Sequence, residues 1–383
     1  MDPQSNDEPS GRAGEKAEPV QYRPDCLHFK GHVPCTPHKE RGVHCADCPE
    51  YRRRAGRILL IKLGAAGDVI RTTPLLDPLK RNYPDHVLTW VTDFPDLLPA
   101  VVDDRLRWDT NAVLLLRHTP FDLVINLDKD RQACALAREV NADRKLGFVL
   151  GDDGICRPVT DGLSEGMAAA AVHKFLTGLF DDVNQACTLS YLQEIFAICG
   201  YEFQGQEYVL DRPAVAPVFE LPSGRSTVGL NTGCGGRWTS RLWPERYWED
   251  LAGKLQASGH AVVLLGGPQE DEKNRRLARA TGACYPGHFD LQTFIGLMDR
   301  CDLVVSAVTM GMHIALGLGK KLVLLNNIFN PHEFELYGRG AILAPQQACT
   351  CFFSPRCRNE SFCLETLLPD AVEQAVAELL ETS

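Results

Sequence analysis

The chain has 383 residues, of which 44% are hydrophobic and 23% are charged, and its formal net charge is −10. This length suits two domains, each large enough to bury its own core. Because the negative charge repels phosphate backbones, nucleic acid is excluded as a general partner, although a local basic patch can still bind one diphosphate. No stretch approaches the roughly 20 apolar residues of a membrane span.

The N-terminal residues are polar and lack the apolar core of a signal peptide. Such a composition predicts a disordered leader over residues 1–22 and a cytoplasmic protein. A peripheral contact with a membrane surface is left open by two short segments, LRHTPF and RRRAGR.

Apolar strands alternate with helices along the first half of the chain. The run at 57–63 predicts a buried parallel strand, a glycine-containing loop and a helix follow it, and further strands are predicted from His86 and Phe121. This alternation is typical of a doubly wound sheet. From about Cys156 to Phe219 the chain is predicted to be helical and then proline-rich, and prolines indicate an interdomain linker: Pro213, Pro217 and Pro222.

The same alternation restarts at Ser226 and ends with a strand from Lys320, which is predicted to close the series. An amphipathic helix is predicted at the C-terminus. The segments expected are a Cys/His-rich segment at 23–56, α/β domains at 57–222 and 223–363, and a final helix at 364–383. Ligands of such domains bind at the carboxyl ends of the strands, so we expect a cleft there.

The first loop, LGAAGDVIRTTP, lacks the Gly-Lys-Ser/Thr of a phosphate-binding P-loop and instead carries Asp68. One interpretation of Asp68 is an N-cap worth about 1 kcal/mol. The other is a general base that faces the cleft, kept ionised by the positive end of the helix. The two roles are compatible.

Three loops of the second half carry candidate ligand-binding residues. NTGCGGRWTSR supplies Thr232, Arg237 and Arg241, and guanidinium groups match phosphate oxygens bidentately. The alternative for this loop is a solvated turn with helix-capping hydroxyls. In LLGGPQEDE, Glu270 or Asp271 is a candidate acceptor for ribose hydroxyls.

The third loop begins a helix in SAVTMGMHIALG. Free N–H groups at a helix start bind anions, which makes Thr309 and Gly311 candidate diphosphate contacts. His313 lies one turn later on the same side, as a further ligand or as a purely structural histidine.

Fifteen cysteines are too many to treat as incidental in a cytosolic protein. Seven are scattered and are expected to be small buried side chains. Two groups of four are candidate structural zinc or iron sites, the alternatives being free thiols, redox chemistry or disulfides formed after lysis. The first group is Cys26, Cys35, Cys45 and Cys48; the second is Cys349, Cys351, Cys357 and Cys363.

Three long segments together resemble glycosyltransferase family 9, the bacterial heptosyltransferases: RILLIKLGAAGDVIRTTPLL, RLWPERYWEDLAGKL with HAVVLLGGPQED, and DLVVSAVTMGMHIALGLGKKLVLL. The resemblance covers about Arg57 to Cys363. It implies a GT-B fold, with two Rossmann-like domains facing a central cleft, an ADP-heptose donor and inverting transfer without a catalytic metal. It also implies that the terminal helix returns to the first domain, which would bring the two cysteine groups near one another.

The resemblance assigns residues as well. Asp68 matches the catalytic base of the family, and Arg241 matches the basic residue that binds the donor phosphates. Thr309 and His313 match the family's helix-start motif, whereas Val308 and Met310 replace its usual aspartate and glycine. The expected function is therefore sugar transfer to a lipopolysaccharide core, a protein or a small metabolite. The alternatives are a non-catalytic sugar-nucleotide-binding or scaffold protein and another GT-B enzyme such as an epimerase.

Overall fold

A computed structural model describes residues 20–213, 219–221, 225–347 and 349–381. Most of the predicted leader, and Pro217 and Pro222 of the predicted linker, lie outside these residues. The chain forms two compact units, Met1–Ala55 and Gly56–Ser383. None of the helices in the described ranges has both the length and the apolar character that crossing a membrane requires.

The N-terminal unit contains one short helix, α1 (Thr36–Arg41), with proline in its first turn and Gly42 at its end. Gly42 adopts φ +67° and donates its N–H to the His38 carbonyl, a left-handed cap that suits glycine. Among the described residues of the unit, 25–27 and 52–54 are joined by backbone hydrogen bonds, from Leu27 N to Arg52 O and from Arg54 N to Asp25 O, both 2.7 Å long. The unit is therefore closed on itself by its backbone.

The first sheet of the larger unit has the order β3-β2-β1-β4-β5-β6 and is parallel except for the last pair. Its strands are β1 (Gly56–Ile61), β2 (His86–Thr92), β3 (Asp104–Arg107), β4 (Phe121–Asn126), β5 (Ala142–Leu150) and β6 (Cys156–Pro158). The helices of this half are α2 (Ala66–Thr72), α3 (Leu76–Asn82), α4 (Thr110–Arg117), α5 (Arg131–Glu139), α6 (Glu165–Thr177), α7 (Asp181–Ala186) and α8 (Tyr191–Ile198).

The second sheet has the order β11-β10-β9-β7-β8 and is wholly parallel. Its strands are β7 (Thr227–Asn231), β8 (Ala261–Leu265), β9 (Leu303–Ala307), β10 (Lys321–Leu325) and β11 (Gly340–Leu343). The helices of this half are α9 (Glu245–Ala257), α10 (Asp271–Thr281), α11 (Leu291–Asp299), α12 (Met310–Gly317) and α13 (Pro369–Glu381). The predicted pair of α/β alternations is confirmed.

The central strands are buried on both faces, which explains their unbroken apolar sequences. Every residue of β7, β8 and β9 is buried, and Ile58 to Ile61 of β1 are at most 2% exposed. One apolar cluster contains residues of both halves, including Leu60 and Trp90 of the first sheet, Val304 of the second sheet and Ile314 of α12. The two α/β halves thus share part of their core.

Two sequence expectations about the C-terminal region are wrong. The strand from Lys320 does not close the series, because the short half-buried strand β11 pairs beyond it. The terminal helix α13 does not return to the first half, since it packs on α9, β10 and β11. Its apolar face, with Val372 and Val376, is buried against the second sheet and stabilises it there. The helix therefore gives no support to the expected proximity of the two cysteine groups.

Candidate active site

A cavity of about 1090 Å³ lies at the carboxyl ends of the strands of both sheets. It is lined by the loops after β1, β4, β7, β8 and β9. In each sheet the strand order reverses beside the first strand, between β1 and β4 and between β7 and β9. These reversals are where open α/β sheets bind ligands, so both halves contribute their usual binding edge to one cavity.

Asp68 lines this cavity from the first turn of α2. It is the third residue of the helix and not its N-cap: Ala65 occupies the cap position, and Asp68 Oδ2 accepts the Ala65 N–H at 3.1 Å. The other carboxylate oxygen, Oδ1, lies 2.8 Å from the Arg71 guanidinium, and Lys62 Nζ lies 4.0 Å from Oδ2. About a third of the side chain stays exposed to the cavity.

The two neighbouring cations decide the charge of Asp68. Burial by itself raises the pKa of this carboxyl, but Arg71 and Lys62 lower it more, to about 2. Asp68 is therefore ionised throughout the physiological pH range. Such a carboxylate is a weak base, so it accepts a proton only from a hydroxyl that is becoming acidic as its oxygen forms a new bond.

A network that the sequence did not reveal holds these cations in place. Lys62 is almost fully buried and lies 3.5 Å from Asp128 Oδ1, and Asp128 Oδ2 accepts the Leu63 N–H at 2.8 Å. Arg71 stacks 3.8 Å over the Tyr191 ring and lies 3.6 Å from Glu333. Lys62, inside the apolar sequence run 57–63 and directly after β1, was the available signal, because a buried charge needs a partner.

Arg241 lines the opposite wall and has only neutral partners. Its guanidinium donates to the backbone carbonyls of Val308 and Cys234, and its Nε is buried without a partner. The aromatic rings of Trp238 and Phe329 lie 5.5 and 5.6 Å from the guanidinium carbon. Among the described residues no carboxylate lies within ion-pair distance of Arg241. Burial lowers its pKa without neutralising it, so a cation with unused donor capacity faces the cavity.

The start of α12 lies beside Arg241, whose guanidinium donates to the carbonyl of Val308. Thr309 is the N-cap residue, and its hydroxyl accepts the Gly311 N–H at 3.1 Å and the Asn231 amide at 3.0 Å. A Cβ on Gly311 would come within 2.6 Å of Asn231 Nδ2, so glycine is needed for this close approach. The Thr309 hydroxyl is thus occupied by the cap, and the anion-binding capacity lies in the N–H groups of the first turn.

His313 is buried, lines the cavity and packs across to the other half of the protein. Its ring lies against Gly67 so closely that a Cβ there would meet His313 Cδ2 at 2.4 Å, and Nδ1 lies 3.5 Å from the Tyr208 hydroxyl. Burial and the nearby Arg71 lower the His313 pKa to about 3. A neutral imidazole offers one N–H, so His313 contributes no positive charge at neutral pH.

The other residues that were predicted to bind the sugar donor fall into two groups, those that line the cavity and those that do not. Arg237 and Glu270 line the cavity, the first exposed and the second with its carboxylate accepting the Gly267 N–H at 3.0 Å. Thr232 does not line it: the residue is 1% exposed, and its hydroxyl donates to Asn274 at 2.6 Å. Asp271 lies in α10, where it accepts hydrogen bonds from Arg275 and Tyr285. Thr232 thus has a structural contact where a donor contact was predicted.

The second cysteine group supports the segment that carries Arg241. Ser240, its neighbour, donates through Oγ to the Ser354 carbonyl at 2.6 Å and through N to the Pro355 carbonyl at 3.2 Å. Within the group, Cys351 Sγ and Cys357 Sγ lie 3.9 Å apart, and Cys363 Sγ accepts from Asn327 at 3.4 Å. The cysteine-containing loop therefore packs against the segment that carries Arg241.

One group of side chains in the described residues has metal-ligand spacing, formed by His173, Cys187 and Glu194. Its carboxylate is already used, because Glu194 lies 2.5 Å from Lys174 Nζ and 3.3 Å from His173 Nδ1. The Cys187 thiol donates to the Leu189 carbonyl. These contacts account for the group as an internal ion-pair network.

A nucleotide-sized cavity between two parallel α/β sheets, with a carboxylate on one wall and an anion-binding helix start on the other, is the arrangement of a GT-B glycosyltransferase. The sequence family described as glycosyltransferase family 9 (heptosyltransferase) matches residues 114–361. The chain belongs to this family and is a glycosyltransferase.

Three individual proteins illustrate the similarity. Lipopolysaccharide heptosyltransferase 1 of Pseudomonas aeruginosa is 26% identical over 333 residues, which cover 78% of this chain and 88% of the relative. The solved family 9 glycosyl transferase of Veillonella parvula aligns with a TM-score of 0.61 at 19% identity, covering 86% and 98% of the two chains. E. coli heptosyltransferase WaaC, solved with ADP-2-deoxy-2-fluoro heptose, gives 0.55 at 19% identity, covering 84% and 99%.

Proposed function

We propose that the protein moves a sugar, heptose from ADP-heptose as the leading donor, to an acceptor hydroxyl with inversion at the anomeric carbon. The observation that carries this proposal is the pair of opposed walls in one cavity. Asp68 is ionised on the first wall, while Arg241 and the first turn of α12 present unpaired donors on the second. One wall thus suits proton removal and the other suits a leaving diphosphate.

In this scheme the acceptor hydroxyl lies against Asp68. As its oxygen bonds to the anomeric carbon, the bond from that carbon to the diphosphate breaks and the hydroxyl proton passes to the carboxylate. Arg71 and Lys62 hold Asp68 ionised and oriented until the oxygen becomes acidic. The products are the glycoside, a nucleoside diphosphate and protonated Asp68, which then releases its proton to water.

The diphosphate gains negative charge as it leaves, and the second wall is arranged to stabilise it. Arg241 supplies a guanidinium and α12 supplies oriented N–H groups, which act without reorganisation. We therefore expect no requirement for a catalytic metal. His313 contributes at most one hydrogen bond, since its imidazole is neutral at physiological pH.

Heptose is proposed as the donor sugar because the chain is similar to heptosyltransferases. Two positions of the family's helix-start motif, however, carry different residues here. Val308 and Met310 stand where the family motif has an aspartate and a glycine. The side chain of Val308 is nearly buried, and only its carbonyl, bonded to Arg241, takes part in the wall. An aliphatic side chain cannot accept from a sugar hydroxyl, so this contact must come from another residue, and Glu270 lines the same cavity.

The acceptor is an open part of the proposal, with lipopolysaccharide core, protein and small metabolite as candidates and the cytoplasm as the compartment. Lys129 and Lys174 line the first half of the cavity. Burial and the neighbouring Lys174 lower the pKa of Lys129 to about 8, so it still carries positive charge at neutral pH. Because Lys174 is already paired with Glu194, Lys129 is the cation that favours an acceptor with a carboxylate or phosphate near its reacting hydroxyl.

A panel of nucleotide sugars, each offered with a lysate as acceptor source, tests the proposal. We expect release of nucleoside diphosphate that depends on the acceptor and is fastest with ADP-heptose. Binding of a nucleotide sugar without acceptor-dependent release would favour the non-catalytic alternative, which the comparisons do not support. Fastest release with another nucleotide sugar would keep the transferase and replace the donor.

We also propose a structural metal at Cys349, Cys351, Cys357 and Cys363. The 3.9 Å between Cys351 and Cys357 is close to the sulfur spacing around one tetrahedral zinc or iron ion. A metal here would fix the loop that holds Ser240, and with it Arg241. Loss of stoichiometric metal in Cys351→Ser with Cys357→Ser, together with weaker donor binding, is the expected result.

A further inference from the structure

The N-terminal unit has almost no hydrophobic core. Among its described residues, 20–55, only Cys26 and Pro37 are buried. Its regular structure is one helix of six residues and a single bridge between Cys26 and Arg53. Units below about 70 residues often need disulfides, a metal or a partner to fold, because they bury too little apolar surface. All the cysteines of this unit are free thiols, so disulfides do not fill that role.

The place of a core is taken by a cavity of about 170 Å³ whose lining is rich in metal-binding side chains. All four cysteines of the unit line it, and so do three of its histidines: Cys26, Cys35, Cys45, Cys48, His28, His38 and His44. The donor atoms surround the cavity without crowding one point: within the described residues of this unit, no three lie within 4.8 Å of one another. Three of these four cysteine side chains are only partly buried, so they are less constrained by packing than core side chains.

The surroundings of the cavity suit a negatively charged centre. Residues 20–55 contain seven Lys and Arg and four Asp and Glu, an excess of positive charge in a chain whose net charge is −10. Four thiolates around a divalent ion leave a charge of about −2. The basic excess offsets that charge.

One histidine of the lining is already oriented for metal binding. His38 Nδ1 lies 2.9 Å from the Val43 carbonyl, which can only accept, so Nδ1 carries the proton. Its Nε2 is left as a lone-pair donor, the usual state of a metal-bound imidazole. His38 is therefore the natural substitute if one thiolate is not a ligand.

We propose that this unit binds a structural metal through the thiolates of Cys26, Cys35, Cys45 and Cys48, and that the metal replaces its hydrophobic core. Cys45 and Cys48 form a C-x2-C half-site, Cys35 begins α1, and Cys26 is brought back by the backbone bonds between Asp25 and Arg54. The proposal does not depend on the proposed transferase activity.

The test uses the full-length protein purified without added metal. Zinc, iron and acid-labile sulfide are measured per chain in wild type and in the double variant Cys45→Ser with Cys48→Ser. We expect the wild type to hold one zinc more than the double variant, and Cys284→Ser, in the other unit, to match the wild type. A difference in iron with sulfide would replace the single ion by a cluster and overturn the mononuclear form.

Limited proteolysis supplies a second readout. Trypsin cleavage at Arg52, Arg53 and Arg54 should be slow in the metal-loaded protein and fast after chelation or in the double variant. His38→Asn and its control His32→Asn, which lies off the cavity lining, should both keep the metal. Loss of metal in His38→Asn with retention in Cys26→Ser would overturn the four-thiolate set. Equal metal content and equal cleavage in wild type and double variant would overturn the site altogether.

Discussion

The two walls of the cavity treat charge in opposite ways. On the first wall the charges around Asp68 are paired: Asp68 with Arg71, Lys62 with Asp128, and Arg71 also with Glu333. On the second wall the Arg241 guanidinium is bonded to two backbone carbonyls, and its Nε has no partner. The surroundings of Asp68 thus already supply its counter-charges, whereas Arg241 has capacity for an added anion.

This difference follows from what each wall is expected to do. A general base must be ionised and correctly oriented before the acceptor binds, and fixed neighbouring cations provide both conditions. A site for a diphosphate must not satisfy its own donors in advance, since a competing carboxylate would have to be displaced. The division of labour can be tested by removing one group from each wall.

Replacing the first-wall carboxylate should have the largest effect on the rate. Asp68→Asn keeps the shape of the side chain but cannot accept the proton, so kcat should fall by about 10²–10⁴-fold. Donor affinity, measured by calorimetry with ADP, should change little because Asp68 lies on the other wall. Asp77→Asn in α3, an exposed aspartate, is the matched control. Unchanged kcat in Asp68→Asn would remove the base from the scheme.

Replacing the second-wall arginine should act on binding. Arg241→Lys keeps a positive charge but loses the planar fork, so we expect ADP affinity to fall by about 10–100-fold. Arg246→Lys, on an exposed arginine outside the cavity, should leave ADP affinity unchanged. An unchanged ADP affinity in Arg241→Lys would show that this wall needs only the positive charge and not the planar guanidinium.

The sequence predicted the residues that lie in strand-end loops and missed those that reach the cavity from elsewhere. Asp68, Arg241 and the α12 start lie in the segments that leave β1, β7 and β9 at their carboxyl ends, so the edge of each sheet places them. Tyr191 and Glu333 lie far along the chain and join the first wall only through tertiary packing. No spacing rule connects them to Asp68.

Two errors had local physical causes. Thr232 follows β7 directly, yet its hydroxyl pairs with Asn274 of α10, a helix that was not predicted. The strand β11 is four residues long and only half buried, so its sequence lacks the apolar run that marked the others.

The contact where the walls meet should decide stability more than catalysis. A methyl group in Gly67→Ala would meet the His313 ring at 2.4 Å, so α2 and α12 would have to separate. We expect the free energy of unfolding to fall by about 1–3 kcal/mol, measured by urea denaturation. Gly253→Ala in α9, where a Cβ meets nothing within 4 Å, should instead stabilise the protein slightly. Equal stability of the two variants would contradict the close packing at Gly67.

The buried imidazole at the same contact should make stability depend on pH. The His313 pKa is about 3 in the folded protein and near 6.5 when unfolded, so between these values only the unfolded chain binds the proton. Stability is therefore complete above pH 6.5 and falls as the pH decreases toward 3. The expected loss between pH 7 and pH 5 is on the order of 1 to 2 kcal/mol.

The pH dependence of stability also tests whether the His313 imidazole is neutral in the folded protein. His313→Gln removes the titrating ring, so its stability should change less between pH 7 and pH 5 than that of the wild type, even if it is less stable at both. His118→Gln, on an exposed histidine, should keep the wild-type slope. If His313→Gln and wild type lose equal stability on acidification, the imidazole must be protonated within the folded protein. It would then add positive charge to the second wall, and the contrast between a paired wall and an anion-binding wall would become sharper.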